Sequence, residues 1–282
     1  MKYEINGDLF ELRDVFDNGQ CFRWNINNDG SYSGVFHNIS LNVKKAKNKI
    51  TFEGKANLKQ TEFEKEIINY FDLERDYNSY REELAKVDEN LRIATEFGKG
   101  LRLLNQDLFE TIISYITSAN NNIPRIKGII HRMCEKYGKR LSDETYAFPT
   151  PEELSYASLE DLRALGLGFR DKYIYETTKY IKENPSFLLN LYEMDTDSCR
   201  KALESLEGVG PKVADCILLF SDLKRMDVFP IDVWVRRVMN ELYFHGEEEK
   251  ISKKEIRQMA NQKFGKIQGL AQQYLFYWRR EK

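Results

Sequence analysis

Residues 203–220 read LESLEGVGPKVADCILLF, and the punctuation of this stretch decides the fold. A helix closes near Leu206, a turn is written Glu207-Gly208-Val209-Gly210, and Pro211 opens a second helix, where a proline has no hydrogen bond to lose. Two glycines around a valine permit backbone angles closed to other residues and let a ligand come close to the main chain. The free amides at the start of the second helix, at the positive end of its dipole, suit a phosphate. A GxG pair alone is an ordinary helix stop. Here the glycines, the proline and the flanking apolar series Leu203, Leu206, Val209, Val213, Ala214 and Ile217 agree on a helix–hairpin–helix that grips a nucleic-acid backbone, with Gly208, Gly210 and Val213 as its contact positions.

Lys212 follows directly, in the first turn of the second helix, where a cation faces the positive end of the macrodipole. The dipole lowers an amine's pKa by less than about one unit, so activation of this lysine as a nucleophile rests on partial burial. A neutral amine there could attack an electrophilic carbon and leave a Schiff base; a charged one would serve only as a phosphate contact. Twenty residues on, DVFPIDVWVRRVMNELYF places Asp232 before an amphipathic helix. That is an N-cap position, and a capping carboxylate is also held ionised and still, able to stabilise a developing positive charge or to move a proton.

Outward from this centre the chain divides. Residues 9–54 carry β-rich runs (CFRW, YSGVF, SLNV, KITF) separated by turns at Asp17–Gly19, Asn28–Gly30 and Lys47–Lys49, which predicts an antiparallel meander. From Asn57 the period becomes helical, with Phe63, Ile67, Ile68 and Phe71 as a stripe, and the acid-rich residues 72–96 read as a solvated helical face or a connector. After Leu104 helices follow at 108–119, 123–137, 151–164, 170–183, 197–206, 211–221, 232–243 and 252–280. The expected architecture is α+β: a small N-terminal antiparallel sheet domain with connecting helices over 1–100, then an all-α helix–hairpin–helix domain over 101–282 whose last helix packs back near the first domain. No apolar stretch is long enough for a membrane helix, and the start MKYEINGDLF has no signal-like pattern, so an intracellular protein is expected. Cys21, Cys134, Cys199 and Cys216 form no CxxC, which speaks for buried thiols and against a metal or a disulfide framework.

The order hairpin, Lys212, Asp232 resembles that of the helix–hairpin–helix DNA glycosylases, with LEGVGPKVAD and FPID as the matching segments. The resemblance implies that Lys212 displaces a damaged base from C1′ with the help of Asp232, and that a lysine here makes the enzyme a lyase as well. Endonuclease III relatives carry four closely spaced cysteines after this region, and this chain has no cysteine after Cys216. NGQCFRW at 18–24, TSANNNIPRI at 117–126 and LAQQYLF at 270–276 resemble the base-recognition strand, the duplex-probing segment and the carboxy-terminal helix of 8-oxoguanine DNA glycosylases. Together these segments span nearly the whole chain.

This family resemblance implies a set of roles. 8-Oxoguanine carries a hydrogen at N7, and the carbonyl of Gly19 would accept it. Phe276 and Cys216 would sandwich the flipped base, Gln272 would bond its Watson–Crick edge, and Pro230 would border it. Asn120, Arg125 and Arg170 would meet the orphaned cytosine, whose O2 and N3 are acceptors. Phe169 stands where the family often has tyrosine, and Trp234 stands where many relatives have a phosphate-binding histidine. The implied partner is duplex DNA with 8-oxoguanine opposite cytosine, acted on by a monomer without cofactor or metal, located in the cytoplasm or nucleoid of a prokaryote. A glycosylase for another damaged base and a non-catalytic DNA-structure binder remain as alternatives. The net charge of −2 hides an uneven spread: residues 1–100 sum to −3 and residues 101–282 to +1, with basic runs at 120–140 and 250–282 expected along the DNA groove.

Overall fold

The computed structural model describes residues 1–142, 144–246 and 251–282. Alternating side chains build a five-stranded antiparallel sheet from β1 (Lys2–Asn6), β2 (Trp24–Ile26), β3 (Tyr32–Phe36), β4 (Ile39–Ala46) and β5 (Lys49–Lys55), in the order β1-β5-β4-β3-β2. Val43 stands opposite both Tyr32 and Phe52, so one face of the sheet is continuous and buried. Helix α2 (Gln60–Tyr70) covers that face with Phe63 and Ile67, and on the edge strand β2 the buried Trp24 is stacked on Phe16 at 4.3 Å and donates Nε1–H to Tyr70 at 3.0 Å.

The meander differs from its expected form in three places. KYEIN contributes an edge strand before Leu9, Leu12–Phe16 folds as a short helix α1, and of CFRW only Trp24 enters a strand. The acid-rich stretch is also more than a connector. Helices α3 (Tyr77–Ala85) and α4 (Glu89–Phe97) start on Asp76 and Asp88, whose carboxylates accept backbone amides. Their acids face solvent while Tyr77, Leu84, Leu91 and Ala94 join the helical core.

That core is assembled from α5 (Leu108–Ser118), α6 (Ile123–Tyr137), α7 (Pro151–Leu154), α8 (Leu159–Ala164), α9 (Asp171–Glu183), α10 (Phe187–Glu193), α11 (Thr196–Glu204), α12 (Pro211–Phe220), α13 (Val233–Met239), α14 (Lys253–Phe264) and α15 (Gln268–Glu281). The expected helix 151–164 is two, each with its own capping box, from Thr150 and Ser158. The expected helix 252–280 is also two, parted at Gly265 (φ +57°). Leu103 belongs to the helical core and Leu104 to the core under the sheet, so the two cores meet at adjacent residues. Helix α15 packs on α4, with Phe97 and Tyr277 at 5.4 Å, and from there reaches the 14–18 segment below the sheet. No helix among the described residues is long and apolar enough to cross a membrane.

Candidate active site and nucleic-acid edge

The hairpin between α11 and α12 is fixed by packing as much as by conformation. Gly208 has φ +80°, and a Cβ there would stand 2.8 Å from Tyr173 of α9. Thr177 of the same helix donates to the Glu207 carbonyl at 3.0 Å, and Val209 is buried beneath the turn. Below it Asp215, fully buried, is paired with Arg200 of α11 at 2.7 Å and Arg257 of α14 at 3.1 Å, tying three helices together. Gly210 faces outward with nothing within 4 Å of its Cβ direction, and no side chain caps α12. The start of that helix is open for a phosphate, with Val213 tucked in behind.

Lys212 is half-buried at the foot of α12, its Nζ 5.6 Å from the centre of the Tyr115 ring. One turn further on, Cys216 is buried, and that burial pushes its thiol up to about 11, opposed by the nearby Lys212 ammonium. Asp232 caps α13 by accepting the Val235 amide at 2.7 Å. Capping and facing the lysine are compatible, because the cap uses one carboxylate oxygen. An open cleft with a cavity of about 80 Å³ is lined by Lys212, Cys216, Pro230, Asp232, Gly19, Gln272 and Phe276, together with Tyr115 and Gln273. All seven of the proposed catalytic and base-recognition residues therefore meet in one place.

Gly19 arrives there in a turn rather than a strand, with φ +88°. Asn18 shapes the turn, its amide donating to Asp14 at 2.7 Å while its oxygen accepts the Gln20 amide at 3.0 Å. Gln20 is fully buried and uses every polar atom of its side chain: it donates to the carbonyls of Val15 and Arg102 and accepts the Leu104 amide at 2.8 Å. Its own carbonyl accepts from Gln106 and Tyr115. Helix α15 holds the turn from the other side, Gln273 donating to Asn18 at 2.8 Å and Arg280 to Asp17. Next to Gln273, the Oε1 of Gln272 is buried with no partner, a state costing about 1–3 kcal/mol that a ligand donor would relieve.

The proposed opposite-strand residues gather elsewhere, and none of them lines the cleft. Asn120 is exposed with φ +50°, a strained angle for a side-chain-bearing residue. Arg170, 2% exposed, holds it: its guanidinium donates to the carbonyls of Ala119, Asn120 and Leu167 and stacks 4.3 Å from Phe169. Arg170 thus gives four of its five N–H donors to the protein, and burial lowers its pKa. Arg125 is exposed, its guanidinium donating to the Gly166 carbonyl, and Phe169 is 57% exposed. Trp234 projects from the first turn of α13, 38% exposed. The basic runs are also partly spent. Lys127 holds the Trp24 carbonyl, Arg132 the Leu165 carbonyl and Lys136 pairs with Asp161; Lys263 pairs with Asp88 and Arg279 with Glu241. Lys250 lies outside the described residues.

Tyr115, Gln273 and Arg280 escaped sequence reasoning as site residues. Each sits in a helix whose apolar period fully explains it. The only sequence signal is polar residues on a buried stretch, at Gln272-Gln273.

Comparison with known proteins gives a consistent picture. Residues 2–112 match the amino-terminal domain of 8-oxoguanine DNA glycosylase, and residues 113–272 match the HhH-GPD superfamily of base excision DNA repair proteins. A solved structure named MBOgg1, in complex with a low affinity DNA ligand, is similar at a TM-score of 0.92 and 41% identity, over 99% of this chain and 96% of that one. The Clostridium acetobutylicum 8-oxoguanine glycosylase/lyase, in complex with duplex DNA containing cytosine opposite 8-oxoguanine, is similar at a TM-score of 0.90 and 39% identity, over 100% and 98%. The N-glycosylase/DNA lyase OGG1 of Arabidopsis thaliana is 30% identical over 276 residues, 93% of this chain and 75% of that protein.

Proposed function

The chain belongs to the 8-oxoguanine DNA glycosylase family of the HhH-GPD superfamily, and on that premise we propose that it flips 8-oxoguanine out of a pair with cytosine, excises it and then cleaves the abasic strand. The amine of Lys212 attacks C1′, the glycosidic bond breaks, and the base leaves with a proton. Asp232 stabilises the positive charge that develops on the sugar and exchanges protons with the amine. The lysine–sugar adduct becomes an imine, loss of a C2′ proton follows, and the 3′ phosphate departs by β-elimination.

The observation that carries this reading is the cleft in which Lys212 and Asp232 face Gly19, Cys216, Gln272 and Phe276. The Gly19 carbonyl accepts N7–H, the Gln272 oxygen accepts from the Watson–Crick edge, and Cys216 and Phe276 close the two faces. Gly208, Gly210 and Val213 seat a phosphate, and Trp234 lies along the same strand. Phe169 wedges into the duplex, while Asn120 and Arg125 meet the orphaned cytosine. Arg170 acts through Asn120 and not on the base. The division of labour follows the two regions about residue 100, and the enzyme works inside the cell as a monomer without cofactor.

Borohydride reduction tests it. A covalent complex with an 8-oxoguanine–cytosine duplex is expected for the intact chain and none for Lys212→Gln; equal trapping by both would remove Lys212 from the mechanism.

A further inference from the structure

The last turn of α15 carries a cation to which the proposed reaction gives no part. Arg280 donates Nη2–H to the Asp17 carbonyl, and its Nε and Nη2 each lie 3.1 Å from Glu281. Its remaining nitrogen, Nη1, is buried and has no hydrogen-bond partner among the described residues. That atom lies 3.1 Å from the position a Cβ on Gly19 would take, and the guanidinium carbon is 5.3 Å from the centre of the Phe276 ring, which itself comes within 3.6 Å of the same Gly19 position. An unpaired N–H on a buried nitrogen is costly, even on a guanidinium that is itself only half-buried, and here its neighbours are two residues that line the base cleft.

The lesion supplies an acceptor in the matching place. Relative to guanine it gains a hydrogen on N7 and an oxygen on C8, which are adjacent ring atoms. A carbonyl that accepts from the first and a donor that reads the second must therefore stand along the same edge of the base. We infer that Arg280 is a specificity-determining residue, whose Nη1–H donates to the C8 oxygen of the flipped base while the neighbouring Gly19 carbonyl accepts N7–H. The half-buried ring of Phe276 shifts over the face of the incoming base and uncovers Nη1. Guanine, with only C–H at this position, leaves the donor unpaired, so discrimination comes from an unmet hydrogen bond as well as from the lost N7 contact. The assignment rests on the base recognition proposed for Gly19.

The test uses the full chain carrying Lys212→Gln, which binds without cutting, and three duplexes: 8-oxoguanine opposite cytosine, the analogue with sulfur in place of the C8 oxygen, and a tetrahydrofuran abasic site opposite cytosine. The sulfur analogue keeps N7–H but is a poorer acceptor. Adding Arg280→Met is expected to weaken binding of the oxygen lesion about tenfold, and to change the other two by less than about twofold. Arg280→Lys, which keeps a cation for the Asp17 carbonyl, is expected to show the same oxygen-selective loss. Equal losses on the oxygen and sulfur lesions would mean that Arg280 acts only by shaping the Gly19 turn, and losses on all three that it contacts phosphate or supports the fold; either result, or no loss at all, overturns the inference. If the Lys212→Gln chain does not prefer 8-oxoguanine over guanine opposite cytosine, the proposed function falls too; a preference unchanged by Arg280→Met overturns the role of Arg280 alone.

Discussion

Around Gly19 the backbone is held from several directions, by Gln20 from the sheet side and by Gln273 and Arg280 from α15, with both glutamines buried. Around Asn120 the loop is held by the guanidinium of Arg170, by Asn121 donating to the Thr117 carbonyl and by Arg125 donating to the Gly166 carbonyl, while Asn120, Asn122, Ile123, Pro124 and Arg125 all face solvent. On the proposed reading the first region has to tell apart two purines that differ by one hydrogen and one oxygen, and preorganised groups do this because they pay no ordering cost on binding. The second, on the same reading, has to follow a base whose partner has just been withdrawn from the stack, and a tethered, exposed loop can follow it. The proposal thus puts fine discrimination where the chain is most constrained.

The largest effects should fall on the constrained side. Lys212→Gln is expected to abolish strand cleavage, and Asp232→Asn to slow single-turnover base release by about 10²–10⁴-fold. Asparagine caps a helix as well as aspartate does, so the melting temperature of Asp232→Asn should stay within about 2 °C of the parent; a comparable fall in both readouts would reduce Asp232 to a cap. Gly19→Ala comes next. Its Cβ would stand 3.1 Å from Arg280, at a φ that costs an alanine about 1 kcal/mol, so preference for 8-oxoguanine over guanine should drop about tenfold in competition binding while abasic-site affinity holds.

Arg170→Met tests the other side. It leaves the carbonyls of Ala119, Asn120 and Leu167 without their donor and should cost about 1–3 kcal/mol in urea unfolding. Among the four possible opposite bases, preference for cytosine should fall severalfold, whereas release of 8-oxoguanine opposite cytosine should change less than about threefold. A fall in the preference for 8-oxoguanine over guanine as deep as that in Gly19→Ala would erase the contrast between the two regions. The smallest effect concerns Cys216. With its thiol pushed up to about 11 it is protonated at neutral pH, and its thiolate fraction grows about tenfold per pH unit below that value. Mass spectrometry should find it unmodified by iodoacetamide at pH 7.5 and measurably slower to react than a free cysteine at pH 9.5.

The helix–hairpin–helix was legible because it is local: two glycines, a proline and an apolar series inside eighteen residues carry it. The sheet was legible through alternation, but KYEIN escaped because it is a short edge strand whose inward residues are only half-buried, and LRDVF because five residues hold too little of a helical period. Gly265 broke a helix that apolar spacing alone ran through. Phe187–Glu193 was missed as an element for want of a turn signal on its amino-terminal side beyond Pro185. At the site, family resemblance led to Gly19, Gln272 and Phe276, whereas their supports did not show. Nothing in the local sequence of Gln20 tells that its side chain bonds Val15, Arg102 and Leu104, because those contacts exist only once two distant segments meet.

The bond from Arg280 to the Asp17 carbonyl closes a loop of 263 residues, and Gln273 reaches Asn18 across 255. Contacts so far apart along the chain form late, after local helices and the sheet have condensed. On the proposed reading, the turn that judges the base therefore exists only while the two ends of the chain are docked on each other, and trimming the last helix turn should loosen base choice before it loosens hold on the DNA backbone.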